Sequence, residues 1–445
     1  MKQESPTEPS NADVETAYDD YVMPIWKSLN VPVERASNCT LEDFEGTEYL
    51  DLFSGISVAN LGHNDEAVVE AATEQLETFV HGCSYVHPNQ PVAELAERLA
   101  ELTPGDLQKS FFCNSGTEAV EGAIKLARKY TGNQEVVALE MGFHGRTLGS
   151  LALTGNHAYK HGMGSTINDV VHAPAPDKYR SPHRELDDAA FAAAAAADLE
   201  HTIGTHTSGE IAAVVVEPVM GEGGIIVPPA DYLERVAEIA RDYGGVLIAD
   251  EVQTGYGRTG EFWAVDHVDV EPDILTQAKG IANGLPLGAF TASAEIADAF
   301  ESGDHLSTFG GNPVSCAAAL ATIDRLEDDV IANARDQGEW LAEHLGALAD
   351  EYDVVGDVRG RGLMWGLEIV APDERGPGPA DVPAPAPKLA AAIAEYLREE
   401  ERIVAGVGGY HKNVVRLQPP LSISREQLER ALEGIRAAIE AEQGR

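Results

Sequence analysis

Basic side chains are scarce in this chain: 31 Lys and Arg stand against 74 Asp and Glu in 445 residues, a formal charge of −43. A field of that sign repels nucleic acid and anionic lipid, and no run of Lys or Arg interrupts it, so neither is an expected partner. The acid is spread along the whole chain rather than gathered in one tail. That is the pattern of adaptation to high salt, where hydrated carboxylates keep a surface soluble and counter-ions offset their repulsion. Cysteine is scarce too: Cys39, Cys83, Cys113 and Cys316 have neither CxxC spacing nor the density of a secreted scaffold, so free thiols in a reducing compartment are expected. No apolar run approaches the roughly 18 to 20 residues needed to span a bilayer. Met1 to Glu15 is polar and acidic, unlike a signal peptide. The expectation is a soluble, cytoplasmic protein.

The 44% of hydrophobic residues suffices for a large core, and the length implies two or three domains. Met1 to Asn11 reads as a disordered tail. Short alternating stretches, Cys39 to Leu41 and Tyr49 to Phe53, predict a small sheet. Apolar residues at Val68, Ala72, Leu76 and Val80, then at Val92, Leu95, Leu99 and Leu102, recur at helical spacing. Wholly apolar runs follow at Val136–Leu139, Ile211–Val216, Val246–Ala249 and Ile274–Leu275, separated by helical segments. Strands buried on both faces and alternating with helices predict a mainly parallel sheet in an α/β domain, with ligands beyond the carboxyl ends of the strands. Six consecutive alanines, Ala192 to Ala197, predict a surface helix. Ala371 to Pro387, with six prolines, reads as a stiff loop without core residues. Val354–Ile369, Lys388–Glu400 and Val414–Ala438 suggest a further small α/β unit.

Three of the strand ends carry chemistry. Asp250 closes the run Val246–Ala249, where a buried carboxylate is costly without a cationic partner. Lys279, one of only ten lysines, follows the apolar strand Ile274–Leu275. A lysine buried there loses basicity, the condition for Schiff-base chemistry. Phe111-Phe112-Cys113-Asn114-Ser115-Gly116-Thr117 passes from strand to helix start, where free N–H groups can cradle a phosphate, although an ordinary N-cap explains that stretch equally well. Together the three sites supply what pyridoxal phosphate requires: an imine-forming lysine, a partner for the pyridine nitrogen and an anchor for the phosphate.

At these residues the chain resembles the class III pyridoxal-phosphate aminotransferases, which include the 4-aminobutyrate, ornithine, acetylornithine and mitochondrial-type alanine–glyoxylate enzymes. The likeness runs from about Tyr21 to Ala438. It is carried by Ser115-Gly116-Thr117-Glu118-Ala119, Phe143-His144-Gly145-Arg146-Thr147, Glu217-Pro218-Val219-Met220-Gly221-Glu222-Gly223-Gly224, Asp250 to Gly260, Ala278-Lys279-Gly280 and Thr308-Phe309-Gly310-Gly311-Asn312-Pro313. The resemblance implies fold type I, with a large cofactor-binding domain at 65–325 and a small α/β domain assembled from 12–64 and 326–445. It also implies that Lys279 holds the cofactor covalently and later moves the proton, while Asp250 pairs with the pyridinium nitrogen. Val252 and Phe143 would cover the two ring faces, and Gln253 would reach the phenolic oxygen. Ser115, Gly116 and Thr117 would bind the phosphate, with His144 and Glu217 also beside the cofactor. Thr308 would reach the phosphate of a neighbouring subunit, which implies a homodimer with shared active sites.

Substrate recognition would rest on Arg146, Glu222 and Arg416. Arginine grips a carboxylate through two parallel bonds, so two arginines suit a dicarboxylate such as 2-oxoglutarate. In the resembling subgroup Arg416 takes the carboxylate beside the reacting carbon and Arg146 the distal one. Glu222 neutralises Arg416 when an ω-amino acid leaves that position empty, since a buried unpaired charge is costly. The trio predicts a 4-aminobutyrate-like donor with 2-oxoglutarate as acceptor. Tyr85-Val86-His87-Pro88, Val355 to Gly360 and Gly408-Gly409 also resemble alanine–glyoxylate aminotransferases, a group that generally lacks counterparts of Arg146 and Glu222. The segment between Val171 and Glu210 is longer than in acetylornithine enzymes. Gln253, where glutamate-1-semialdehyde aminomutases have Met, and the Gly-Glu-Gly-Gly run, which dialkylglycine decarboxylases lack, tell against those activities. The full catalytic set tells against a non-enzymatic cofactor store. Met220, where Gln is common, and Cys113, where small apolar residues are frequent, depart from the pattern without removing a catalytic group.

Overall fold

The computed structural model describes residues 9–25, 31–164, 166–268, 270–379 and 381–443. Its centre is a seven-stranded sheet, β1 Leu107–Cys113, β2 Glu135–Leu139, β3 Val170–Ala173, β4 Ile211–Val216, β5 Val246–Asp250, β6 Ile274–Gln277 and β7 Gly288–Ser293, in the order β1-β7-β6-β5-β4-β2-β3. β7 is antiparallel to both neighbours, whereas β6, β5, β4, β2 and β3 run parallel. The four apolar runs are thus the four contiguous strands β2, β4, β5 and β6. Successive residues leave on opposite faces. Val137, Val214, Val216 and Leu247 meet Phe191, Leu199, Leu233 and Val236 on one side. Val136, Ala213, Val215 and Ile248 meet Val120, Ile124 and Ala127 of the helix Gly116–Thr131 on the other. Both faces are dry, which is why these strands show no polar alternation.

Two smaller sheets tie the chain's ends together. Val33–Ser37, Thr40–Asp43 and Glu48–Asp51 form an antiparallel sheet that Ile403–Val404 joins in parallel, pairing Ile403 with Leu50. Val355–Arg361, Met364–Arg375, Val414–Leu417 and Gly406–Gly408 form an antiparallel sheet beside the helices Pro387–Glu399 and Arg425–Glu442. This is the fold type I arrangement, α/β with a mainly parallel large sheet and a small domain drawing on both termini.

Three readings of the sequence are corrected. The alanine run lies in the helix Asp188–His206, but Ala192, Ala195 and Ala196 are buried. This helix covers the sheet, and small side chains let it approach closely. The proline-rich segment is not all loop: the strand Met364–Arg375 continues through Ala371, Pro383–Pro385 pairs with it, and Val382 is buried. Those prolines sit on an edge strand, where a missing N–H costs no ladder bond. Of the expected tail, residues 1–8 lie outside the described residues, while Ser10 caps the helix Asn11–Tyr21 through a reciprocal bond with Asp13.

All four cysteines are free thiols. Among the described residues no helix is long and apolar enough to cross a membrane, and no cluster of ligating side chains could hold a metal. Acid is displayed outward, as at the exposed trio Glu327-Asp328-Asp329, of which Glu327 pairs with Arg98 and Asp328 with Arg325. Self-repulsion of −43 charges is relieved by counter-ions, so raising KCl from ~0.1 M to ~2 M should lift the unfolding midpoint by roughly 10 °C or more. A midpoint independent of salt in scanning calorimetry would contradict that expectation.

Candidate active site

The carboxyl ends of β1, β2, β4, β5 and β6 open on one edge of the sheet, and each delivers a predicted residue within a few positions of its last. β5 ends in Asp250, which is 3% exposed. Its Oδ1 accepts the Thr276 hydroxyl at 3.0 Å and the Val252 N–H at 3.2 Å, and its Oδ2 lies 2.7 Å from His144 Nδ1. His144, buried after β2, has its pKa raised: burial opposes the charged ring, but the hydrogen bond and charge of Asp250, with Glu217 nearby, outweigh it. Thr276 sits opposite Asp250 in the β5–β6 register, a partner that no motif in the sequence signals.

Lys279 follows β6 in a single turn, Lys279–Ala282, with a left-handed φ of 46°. Burial depresses its ammonium pKa, while Asp250, Glu217 and Glu222 pull it back up. Among the described residues it has no hydrogen-bond partner. Glu217, just past β4, accepts the N–H groups of Phe143 at 2.9 Å and Gly221 at 3.1 Å. Burial pushes its pKa up to about 7, with Asp250 adding to the shift and His144 opposing it. A group raised from 4.5 to about 7 stabilises the fold fully below its unfolded pKa, and that contribution fades as pH rises through 7. In cofactor-free protein, Glu217→Gln should therefore remove on the order of 3 kcal/mol of stability loss between pH 5 and 8. Parallel calorimetric pH profiles for parent and variant would show the expectation wrong.

After β1 the chain enters the helix Gly116–Thr131 through Ser115, whose hydroxyl accepts the Glu118 N–H at 3.4 Å and donates to Glu118 Oε2 at 3.2 Å. Ser115 thus works as the N-cap. The Thr117 hydroxyl is also engaged, 2.5 Å from Ser150 Oγ and 2.9 Å from Thr147 Oγ1. What faces an incoming anion is backbone: the N–H groups of Gly116 and Thr117 have no acceptor among the described residues, as expected of a helix start. A Cβ on Gly116 would lie 2.7 Å from Val252 Cγ1, so a side chain there would fill the cradle. The Gln253 carboxamide packs more closely still on Gly221, where an added Cβ would fall 1.4 Å from Oε1. A lysine with no hydrogen-bond partner among the described residues, a buried carboxylate and a bare helix start with no room for a side chain fit pyridoxal phosphate.

Beyond this floor stand the carboxylate-binding candidates. Arg416, 1% exposed in the strand Val414–Leu417, holds Glu222 Oε2 at 2.5 Å and lies over Phe53. Arg416 lowers the pKa of Glu222 against the cost of burial. Arg146 is exposed and has no ion pair among the described residues; its guanidinium carbon stands 4.1 Å over the Tyr159 ring and 5.3 Å from that of Phe143. The Tyr159 hydroxyl donates to Glu222 Oε1 at 3.0 Å. Tyr159 was not legible from sequence, because its partners lie 13 residues before it and 63 after. Thr308 is exposed in its loop and bonds to none of the other site residues.

The sheet and this constellation define a pyridoxal-phosphate enzyme of fold type I. Comparison with known proteins narrows it. The chain matches the aminotransferase class-III family over residues 23–439 and belongs to that family. It is 41% identical over 429 residues to an acetylornithine aminotransferase of Methanopyrus kandleri, covering 96% of this chain and 99% of that one. It is 40% identical over 413 residues to a 4-aminobutyrate aminotransferase of Mycobacterium leprae, with 91% and 90% covered. An amine transaminase from an uncultivated Pseudomonas species, solved in its PLP-bound form, superposes with a TM-score of 0.88 at 32% identity, over 94% of this chain and 98% of that one. The protein is a class III aminotransferase, and pyridoxal 5'-phosphate is its cofactor.

Proposed function

We propose that the protein transfers the amino group of an ω-amino acid of the 4-aminobutyrate type to 2-oxoglutarate. The observation that carries this reading is the contrast between its two arginines: Arg416 is closed off by Glu222, whereas Arg146 has no ion pair among the described residues of a chain with 74 acidic residues. An ω-amino donor brings one carboxylate, distal to the reacting carbon, and Arg146 is free to grip it. With no carboxylate beside that carbon, Arg416 stays neutralised by Glu222. For the oxo acid, Glu222 gives way and both arginines are used. The donors named for the two relatives, acetylornithine and 4-aminobutyrate, share a primary amine at the chain end remote from the carboxylate.

When bound, pyridoxal phosphate supplies an electron sink for the carbon that loses its proton. Lys279, with its basicity lowered by burial, is the proton carrier at that carbon. Asp250, fixed by Thr276 and His144, would hold negative charge at the ring nitrogen. The N–H groups of Gly116 and Thr117 would anchor the phosphate, Val252 and Phe143 would cover the ring faces, and Gln253 would meet the phenolic oxygen. Thr308, exposed in its loop with Leu306 and Phe309, would reach the cofactor phosphate of a second copy of the chain, the arrangement of a homodimer with shared active sites.

Single-turnover reaction of the cofactor-loaded enzyme with 4-aminobutyrate, acetylornithine, ornithine, β-alanine and alanine tests the reading. Conversion by ω-amines much faster than by alanine is expected; conversion by alanine alone would overturn it.

A further inference from the structure

We infer that Tyr159 is a specificity-determining positioning residue that couples the two carboxylate sites, an inference that rests on the ω-amine reading above. The two oxygens of Glu222 are held from different parts of the chain, Oε2 by Arg416 at 2.5 Å and Oε1 by the Tyr159 hydroxyl at 3.0 Å. For Glu222 to leave Arg416 and admit a carboxylate beside the reacting carbon, the Oε2 bond must break while the Tyr159 bond to Oε1 restrains the swing. The phenol is a reliable donor, because burial and the charge of Glu222 push its pKa up to about 12. The same ring carries the guanidinium of Arg146 on its face, 4.1 Å from the centroid, and presents itself edge-on to Phe143 at 5.7 Å. A π face steadies an arginine without neutralising it, so Arg146 is held in place with its charge available. One side chain therefore sets how firmly the first carboxylate site is closed and where the second one points.

The test uses the cofactor-loaded protein and glutarate, an unreactive five-carbon dicarboxylate, with affinity measured by titration calorimetry. Tyr159→Phe keeps the ring and removes one hydrogen bond to a charged group, so glutarate should bind about tenfold more tightly while the unfolding midpoint holds. In the same variant kcat/KM should fall about tenfold for 4-aminobutyrate and hold or rise for glutamate, a split that general loss of structure does not produce. Tyr159→Leu also removes the platform of Arg146 and should weaken glutarate relative to Tyr159→Phe. In a Glu222→Ala background Tyr159→Phe should add nothing, since its action runs through Glu222. A Phe variant with parental glutarate affinity and donor preference, or one whose effect persists without Glu222, would overturn the inference alone. Failure of the parent protein to bind glutarate would overturn the ω-amine reading and the inference with it.

Discussion

Lys279→Ala should yield a folded protein that has lost both the visible absorption of bound cofactor and at least ~10⁴-fold in transamination rate, because nucleophile and proton carrier are removed together. Folding survives because the native lysine is itself a burden. It has no hydrogen-bond partner among the described residues, and its depressed pKa records the cost of burying its charge. Alanine adopts the backbone at this turn no less readily than lysine, so the unfolding midpoint of the cofactor-free variant should match or exceed that of the parent. Added methylamine, small enough to enter the space the side chain vacates, should restore part of the activity by taking over the proton transfer. Lys279→Arg should not recover activity, since guanidinium neither forms the covalent link nor gives up a proton near neutrality. A Lys279→Ala variant with parental absorption and turnover would remove the basis of the catalytic assignment.

Much of this was legible in the sequence because the physics of a buried parallel sheet is local. Runs such as Ile211–Val216 are apolar at every position since each residue meets a helix on one face or the other, and a charged residue directly after such a run must be functional or paired. That logic found Asp250 and Lys279 from single segments. Arg146, Glu222 and Arg416 were reached only through resemblance, as their meaning depends on facing one another across the pocket. β7 had no comparable signal: apart from Phe290, Gly288–Ser293 is built from small and polar residues, and it runs antiparallel to both β1 and β6. The alanine helix misled because propensity reports that a helix forms but not which face is buried, and alanine serves a close helix–sheet contact as well as a solvent face. Ser115, Gly116 and Thr117 were reached through resemblance; that the hydroxyls of Ser115 and Thr117 also hold the helix start and the Thr147–Ser150 turn is a matter of contacts no motif signals.

The acidity of the chain gives the pocket its particular arrangement. Inside a field of −43, anionic substrates are drawn in only where cations outweigh acids locally, and the acids closest to the site are each tied down. Glu222 is bound to Arg416 and Tyr159, and Asp250 to His144 and Thr276. Glu217, with its pKa raised to about 7, is partly protonated near neutrality. Arg146 is left as the exposed positive end of the site.

Asp250→Asn should lower kcat by ~10²- to 10³-fold, the usual cost of losing one preorganised electrostatic partner in a buried site. The substitution is nearly isosteric. The amide oxygen can still accept the Val252 N–H and the Thr276 hydroxyl, so the end of β5 should keep its shape. Two charges change nonetheless. The carboxylate proposed to pair with the ring nitrogen is gone, which would let that nitrogen lose its proton and weaken the electron sink. His144 also loses the anion that raises its pKa against burial, so it becomes neutral at working pH and cannot restore the missing field. The loss should appear in kcat for every donor alike and leave the ratio of 4-aminobutyrate to glutamate unchanged, since Arg146, Glu222 and Arg416 are untouched. Asp250→Glu keeps the charge but lengthens the side chain by a methylene in a fully packed position, and should retain more activity than Asn while lowering the unfolding midpoint. An Asn variant with parental kcat, or one that changes donor preference rather than overall rate, would show that Asp250 does not act at the cofactor ring.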